Sequence, residues 1–214
     1  IDTGASGGVA LQPERFRAWR KQNPGGPATL EAVWQPASGL MVRKEVWAGE
    51  LNLGRLLLHN VPVDEGTPAE FRGARPDMAA VVGMAALRRM DLVVDGRNDV
   101  AYIRPSQTST ATYNHNRMGA VFVPRDIQSL DLVAIVVPHS PAEQAGVRAG
   151  DVLLKIDSQD VTAWQTQPGI MPLSRFWARP PGTRLMPTLK RNNQIIVVPV
   201  ILREILGPGS QEAG

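Results

Sequence analysis

The chain contains no cysteine, which excludes disulfides and thiolate metal centres and leaves the redox compartment open. Aromatic residues are sparse, at 5% of 214 positions. No stretch approaches the roughly 18 unbroken apolar residues of a membrane span; the longest run, Leu132-Val133-Ala134-Ile135-Val136-Val137, has the length of a strand. Long basic runs are missing too. The net charge is +3 and the pI 9.7, but the basic residues are scattered (Arg15, Arg17, Arg20 and Lys21; Arg88 and Arg89; Lys190 and Arg191) and do not interleave with aromatics. Nucleic acid is therefore not an expected partner. The three histidines, His59, His115 and His139, have no patterned partner, and no Gly-x-Ser-x-Gly occurs. No metal, no cofactor and no serine-hydrolase site is expected. The first residue is Ile1 rather than Met and the sequence opens in mid-motif, so upstream residues are expected to have been removed or never sequenced.

A 43% hydrophobic and 20% charged composition is that of a folded protein. Twenty Gly and 18 Pro point to a loop-rich, mainly β chain. Pro13 to Gln22 predicts a short helix, with Pro13 in the first turn, Glu14 at the positive end of the dipole, and Asn23-Pro24-Gly25-Gly26-Pro27 as its stop. Strand patterns follow at Thr29–Trp34, Leu40–Trp47 and Leu56–Val63, separated by turns at Pro36-Ala37-Ser38-Gly39 and Asn52-Leu53-Gly54-Arg55. Met78 to Met90 reads as two β-branched residues, Gly83, and a short helix; Asp91 to Pro105 reads as a strand, a turn and a strand. Ser106 to Asn116 is polar without apolar periodicity and reads as a linker.

The chain opens with Ile1-Asp2-Thr3-Gly4-Ala5-Ser6-Gly7. An apolar residue followed by Asp-Thr-Gly-Ala resembles the active-site loop of retropepsin-like aspartic proteases. The resemblance covers about residues 1–105. It makes Asp2 the catalytic residue, Thr3, Gly4, Ala5 and Ser6 its loop, and Gly83 a supporting position where two backbones approach closely. It makes the first hairpin a flap with Pro36, Ala37, Ser38 and Gly39 at its tip, where the bare pattern gives only a surface hairpin. The motif occurs once, so two carboxylates sharing a proton would require two chains, each giving one Asp2. The implied function is an aspartic endopeptidase, active as a homodimer on peptide or protein substrates through an activated water. The implied fold is mainly β, a retropepsin-like acid-protease barrel whose N-terminal strands are missing. The competing reading is a catalytically inactive peptide-binding scaffold or adaptor, with Asp2 as a structural carboxylate accepting backbone N–H bonds in a tight turn.

From Arg117 the texture changes. In Ser140-Pro141-Ala142-Glu143-Gln144-Ala145-Gly146, Ser140 caps a short helix, Pro141 starts it and Gly146 ends it. Gly150-Asp151 then turns into the strand Val152–Ile156. This order resembles a bacterial PDZ domain, an α+β, partly open β-barrel, over residues 117–206, followed by a disordered tail at 207–214. Such domains bind extended peptides by adding them to a sheet edge. The matching stretch here is Met118-Gly119-Ala120-Val121-Phe122-Val123. One Gly stands where many family members have two, which favours strand addition over carboxylate capture; Phe122 serves either the apolar pocket or the core. Pro172 to Trp177 is expected to start the helix that walls the groove, and Thr183–Lys190 with Gln194–Leu202 to form a closing hairpin. The combination resembles bacterial periplasmic or extracytoplasmic proteins.

Overall fold

The structure is a computed structural model and describes residues 1–35, 39–68, 70–71, 78–106, 113–126 and 128–207. The chain divides into two compact units. The first comprises Ile1–Pro27, Glu45–Tyr113 and Leu206–Gly214, and the second Ala28–Lys44 and Asn114–Ile205.

In the first unit the opening loop leads into β1 (Val9–Leu11), which is buried throughout, and then into α1 (Pro13–Gln22). Glu14 lies in the first turn of α1 and Arg20 and Lys21 in the last, each at the end of the dipole that favours its charge. Phe16 is the residue α1 buries. The helix ends where the Asn23 side chain donates to the Trp19 carbonyl at 3.0 Å, just ahead of Pro24. β2 (Ala28–Gln35) and β3 (Gly39–Leu53) as far as Lys44 belong to the second unit; the rest of β3 lies in the first, and β4 (Leu56–Glu65) returns after a turn in which Gly54 takes a φ of +67°. β4 pairs with β3 from Glu45 to Leu53 and runs parallel to β1. β5 (Ala80–Val82) pairs with the other edge of β1 and passes through Gly83 into α2 (Met84–Leu87).

The resulting sheet has the order β2-β3-β4-β1-β5. It is open, which corrects the expectation of a retropepsin-like barrel with its N-terminal strands missing. β5 has three residues and turns into α2 once it has paired with β1, so among the described residues nothing carries the sheet round to β2. Next, β6 (Met90–Asp95) and β7 (Val100–Pro105) form a two-stranded sheet of their own. Its turn is held by the Asp95 carboxylate, which accepts the Arg97 N–H at 3.1 Å and an Asn98 side-chain N–H at 2.7 Å. Every residue of β7 is exposed, and Val93, Val94, Tyr102 and Ile103 all face solvent.

The second unit contains β8 (Ala120–Pro124), β9 (Leu132–Val136), α3 (Pro141–Ala145), β10 (Val152–Ile156) and β11 (Gln159–Asp160). It continues through α4 (Ser174–Trp177), β12 (Arg184–Leu185), β13 (Pro187–Arg191), β14 (Gln194–Val197) and β15 (Val200–Ile201). The main sheet runs β14-β13-β10-β9-β8, with β11 against β10. Ser140 caps α3 by accepting the Glu143 N–H, and Gly146 ends it in the left-handed conformation at φ +101°. The closing hairpin expected over Thr183–Leu202 is split in two. Pro187 and Pro199 interrupt the ladder because neither has an N–H to donate, so β13 pairs with β14 while β12 pairs with β15. No helix among the described residues is long and apolar enough to cross a membrane.

Asp151 ties this unit together. It is 2% exposed. Its two oxygens take Arg191 Nε and Nη2, each at 2.7 Å, and one also takes the Arg148 N–H at 2.8 Å. Burial pushes the Asp151 carboxyl up, but the paired Arg191 guanidinium and the Arg148 N–H outweigh it and hold the group below its ordinary value. A depressed carboxylate contributes stability that is present above its unfolded pKa, near 3.9, and lost as pH falls through the folded value. Asp151→Asn should therefore flatten the acid limb of a stability-versus-pH curve below about pH 4; an unchanged acid limb would contradict this. In the first unit, a Cβ at Gly83 would lie 2.6 Å from the Gly7 carbonyl oxygen and 3.1 Å from that of Ala5, whereas one at Gly96 meets nothing within 4 Å. Gly83→Ala should cost about 1–3 kcal/mol in urea denaturation, and Gly96→Ala much less.

Candidate peptide-binding groove

β8 begins in a loop whose geometry is set by Asn116 and Gly119. Gly119 has a φ of +73°, and a Cβ there would fall 2.3 Å from Ser140 Cβ, so both backbone and space call for glycine. The Asn116 side chain is buried inside the loop. Its Oδ1 accepts the Met118 N–H at 2.9 Å and the Gly119 N–H at 3.1 Å. Its Nδ2 donates to the Ala120 carbonyl at 2.8 Å and the Leu30 carbonyl at 2.9 Å. Both donors and both lone pairs of the amide are thus in use.

From this loop Ala120, Val121, Phe122 and Val123 run as a strand that is buried on both faces. The strand ends at Pro124. Among the described residues, β8 lies at the edge of its sheet and β9 is its one ladder neighbour there. Phe122 packs on Trp177 of α4 with ring centroids 6.3 Å apart. Of the two roles open to Phe122, core or pocket, its burial in one cluster with Trp177 gives it the core. The start of β8 is fastened to the same helix: Arg117 N–H donates to the Trp177 carbonyl and Arg117 Nη1 to the Ala178 carbonyl, each at 2.9 Å. Met118, Gly119, Ala120, Val121, Phe122 and Val123 are therefore brought together on one strand and its entry loop.

Sequence reasoning missed Asn116, and with it His115. Both sit at the end of a polar run with no periodicity, and each makes a bond to a residue 86 or more positions away: Leu30 for Asn116 and Ile205 for His115. The His115 side chain is fully buried and lies 2.9 Å from the Glu204 carboxylate. Only the polar character of Asn-His-Asn before Met-Gly was available as a signal.

The Asp2 loop belongs to the first unit and is mostly at the surface. Asp2 is exposed, and its Oδ1 accepts the Gly4 N–H at 2.8 Å, the usual local bond of a short polar side chain two residues on. Thr3 and Ser6 are exposed and Ala5 half-buried. Gly83 lies against this loop, with Gly83 N–H donating to Gly8, Met84 N–H to Ala5 and Ala85 N–H to Gly7. Of the proposed flap tip, Gly39 has a φ of +72°, while Pro36, Ala37 and Ser38 lie outside the described residues.

With this geometry in hand, comparisons with known proteins place part of the chain. Residues 132–168 match the family model for the PDZ domain. Among solved structures, the chain is similar to an HtrA-type protease, AlgW, with a decapeptide. The two share 16% identity and a TM-score of 0.32, over 86% of this chain and 61% of that one. The chain thus spans less than two thirds of that protein's length. No curated protein matches it. These findings correct the expectation of an aspartic endopeptidase: the family model that the chain matches is that of a PDZ domain. The open sheet agrees with that correction. The Asp dyad was the ground for expecting two chains, so that expectation lapses with it.

Because Asn116 satisfies four backbone groups at once, Asn116→Asp should be costly. It removes two donors from buried carbonyls and brings a negative oxygen against them. A loss of at least about 2 kcal/mol is expected in urea denaturation, at about 1–3 kcal/mol per unsatisfied group. Wild-type stability in that variant would refute the assignment.

Proposed function

We propose that this chain binds extended peptide segments along β8 by strand addition. The observation that carries the reading is the edge position of β8 beside α4, with Phe122 of one packed on Trp177 of the other. Strand addition draws affinity from main-chain bonds to an open edge, and specificity from pockets for alternate side chains. The PDZ match over residues 132–168 supports the same reading.

The loop geometry refines it. A free C-terminal carboxylate would need the N–H groups of the entry loop, and Asn116 Oδ1 already accepts those of Met118 and Gly119. The ligand is therefore an internal extended segment, held without capture of its terminus.

A random peptide library screened against the full chain should yield saturable binders. Amidating the C-terminus of a binder should change its Kd by less than about twofold, or 0.4 kcal/mol. Phe122→Leu, which keeps an apolar filler but removes the ring that meets Trp177, should weaken binding at least about fivefold, or 1 kcal/mol. Absence of any saturable binder would sink the peptide-binding reading, and loss of binding on amidation would sink the internal-segment refinement.

A further inference from the structure

We infer that the hairpin Ala28–Lys44 is an internal ligand of this groove and holds it against outside peptides until displaced. The inference rests on the peptide-binding reading above and goes beyond it, since it says what fills the groove in the free protein.

Although β8 is the edge strand of its sheet, it is buried from Ala120 to Val123, and β2 lies along it. On β2, Leu30 and Ala32 are two positions apart and so point to one face. On β3, Leu40 and Val42 repeat that spacing. All four side chains pack against the core cluster that contains Met118, Phe122 and Trp177. The backbone is engaged as well. The Leu30 carbonyl accepts from Asn116 Nδ2 at 2.9 Å, and the buried Thr29 hydroxyl donates to the Asn116 carbonyl at 2.8 Å. The hairpin thus offers what a strand-adding ligand would offer: a main-chain carbonyl at the entry loop and aliphatic side chains at alternate positions.

Its boundaries suit displacement. Residues 28–44 belong with the second unit, whereas Pro27 and Glu45 belong with the first. Pairing of β3 with β4 begins at Glu45, so 28–44 can leave the groove with that ladder intact. Arg43 and Glu31, 2.8 Å apart across the two strands, keep the hairpin together as one piece. A ligand tethered in the same chain acts at an effective concentration on the order of millimolar. An outside peptide then binds with an apparent affinity reduced by the fraction of molecules whose groove is open. The cis ligand also indicates the trans ligand: an internal β segment with aliphatic residues two apart, like Leu30 and Ala32.

The test uses the full chain in three forms: wild type, Leu30→Asp with Leu40→Asp to release the hairpin, and Thr29→Val, which removes a single hydrogen bond. The probes are a fluorescein-labelled peptide of residues 28–44 and the best binder from the random library, with hydrogen exchange at residues 120–124 and 152–156. The double variant should bind both probes at least tenfold more tightly than wild type, and Thr29→Val about threefold more tightly. In the double variant, exchange should rise at 120–124 and stay slow at 152–156, showing that the sheet is intact. Equal binding of the library peptide by wild type and double variant overturns the internal ligand while leaving peptide binding standing. A double variant with an intact sheet that binds neither probe overturns both readings.

Discussion

Asn116 uses every hydrogen-bonding position its side chain has, and each bond goes to a different backbone group. Two of them shape the loop before β8, one fixes the first residue of that strand, and one reaches β2. A buried primary amide with all four sites filled has no low-energy alternative, because any other rotamer strands donors and acceptors away from water. The position of β8, the angle at which it leaves Gly119 and the seat of the hairpin follow from that one side chain. Gly119 completes the constraint. A side chain there would collide with Ser140, the cap of α3, so the entry loop and α3 are fixed relative to each other by the absence of a single carbon.

What the sequence made legible was local. The span of α1, its charge placement and its stop follow from Pro13, Glu14 and Asn23-Pro24. The cap, helix and turn from Ser140 to Ile156 follow from residues within three or four positions of one another. What stayed hidden was long-range. A hairpin pattern at 28–44 says that two strands pair, but not what their apolar face meets. Its identification with a protease flap came from its distance after the Asp-Thr-Gly loop, whereas in the structure Leu30, Ala32, Leu40 and Val42 pack against the core of the second unit. Likewise the polar run ending at Asn116 has the texture of a linker, because nothing within its own neighbourhood reveals a partner 86 residues earlier.

The opening motif shows how far a short spelling can be carried by local physics. Asp followed two residues later by Gly favours a tight turn closed by a carboxylate–N–H bond, whatever the rest of the chain does, and Asp2 and Gly4 make that bond. The close approach of Gly83 to Ala5 and Gly7 is a packing fact of the same kind: two backbones meet where no Cβ intervenes. Such contacts stabilise a loop without specifying a reaction.

The ribbon made by β6 and β7 has a consequence for how the molecule behaves among its own kind. A two-stranded sheet leaves rows of main-chain groups at its margins, and here Val93, Val94, Tyr102 and Ile103 stand in solvent beside them. Unpaired strand margins flanked by β-branched and aromatic side chains are templates for further strands. A net charge of +3 spread over 214 residues gives little repulsion to oppose that. An exposed apolar ribbon of this kind favours self-association at high concentration, and a lysine placed on it would oppose that.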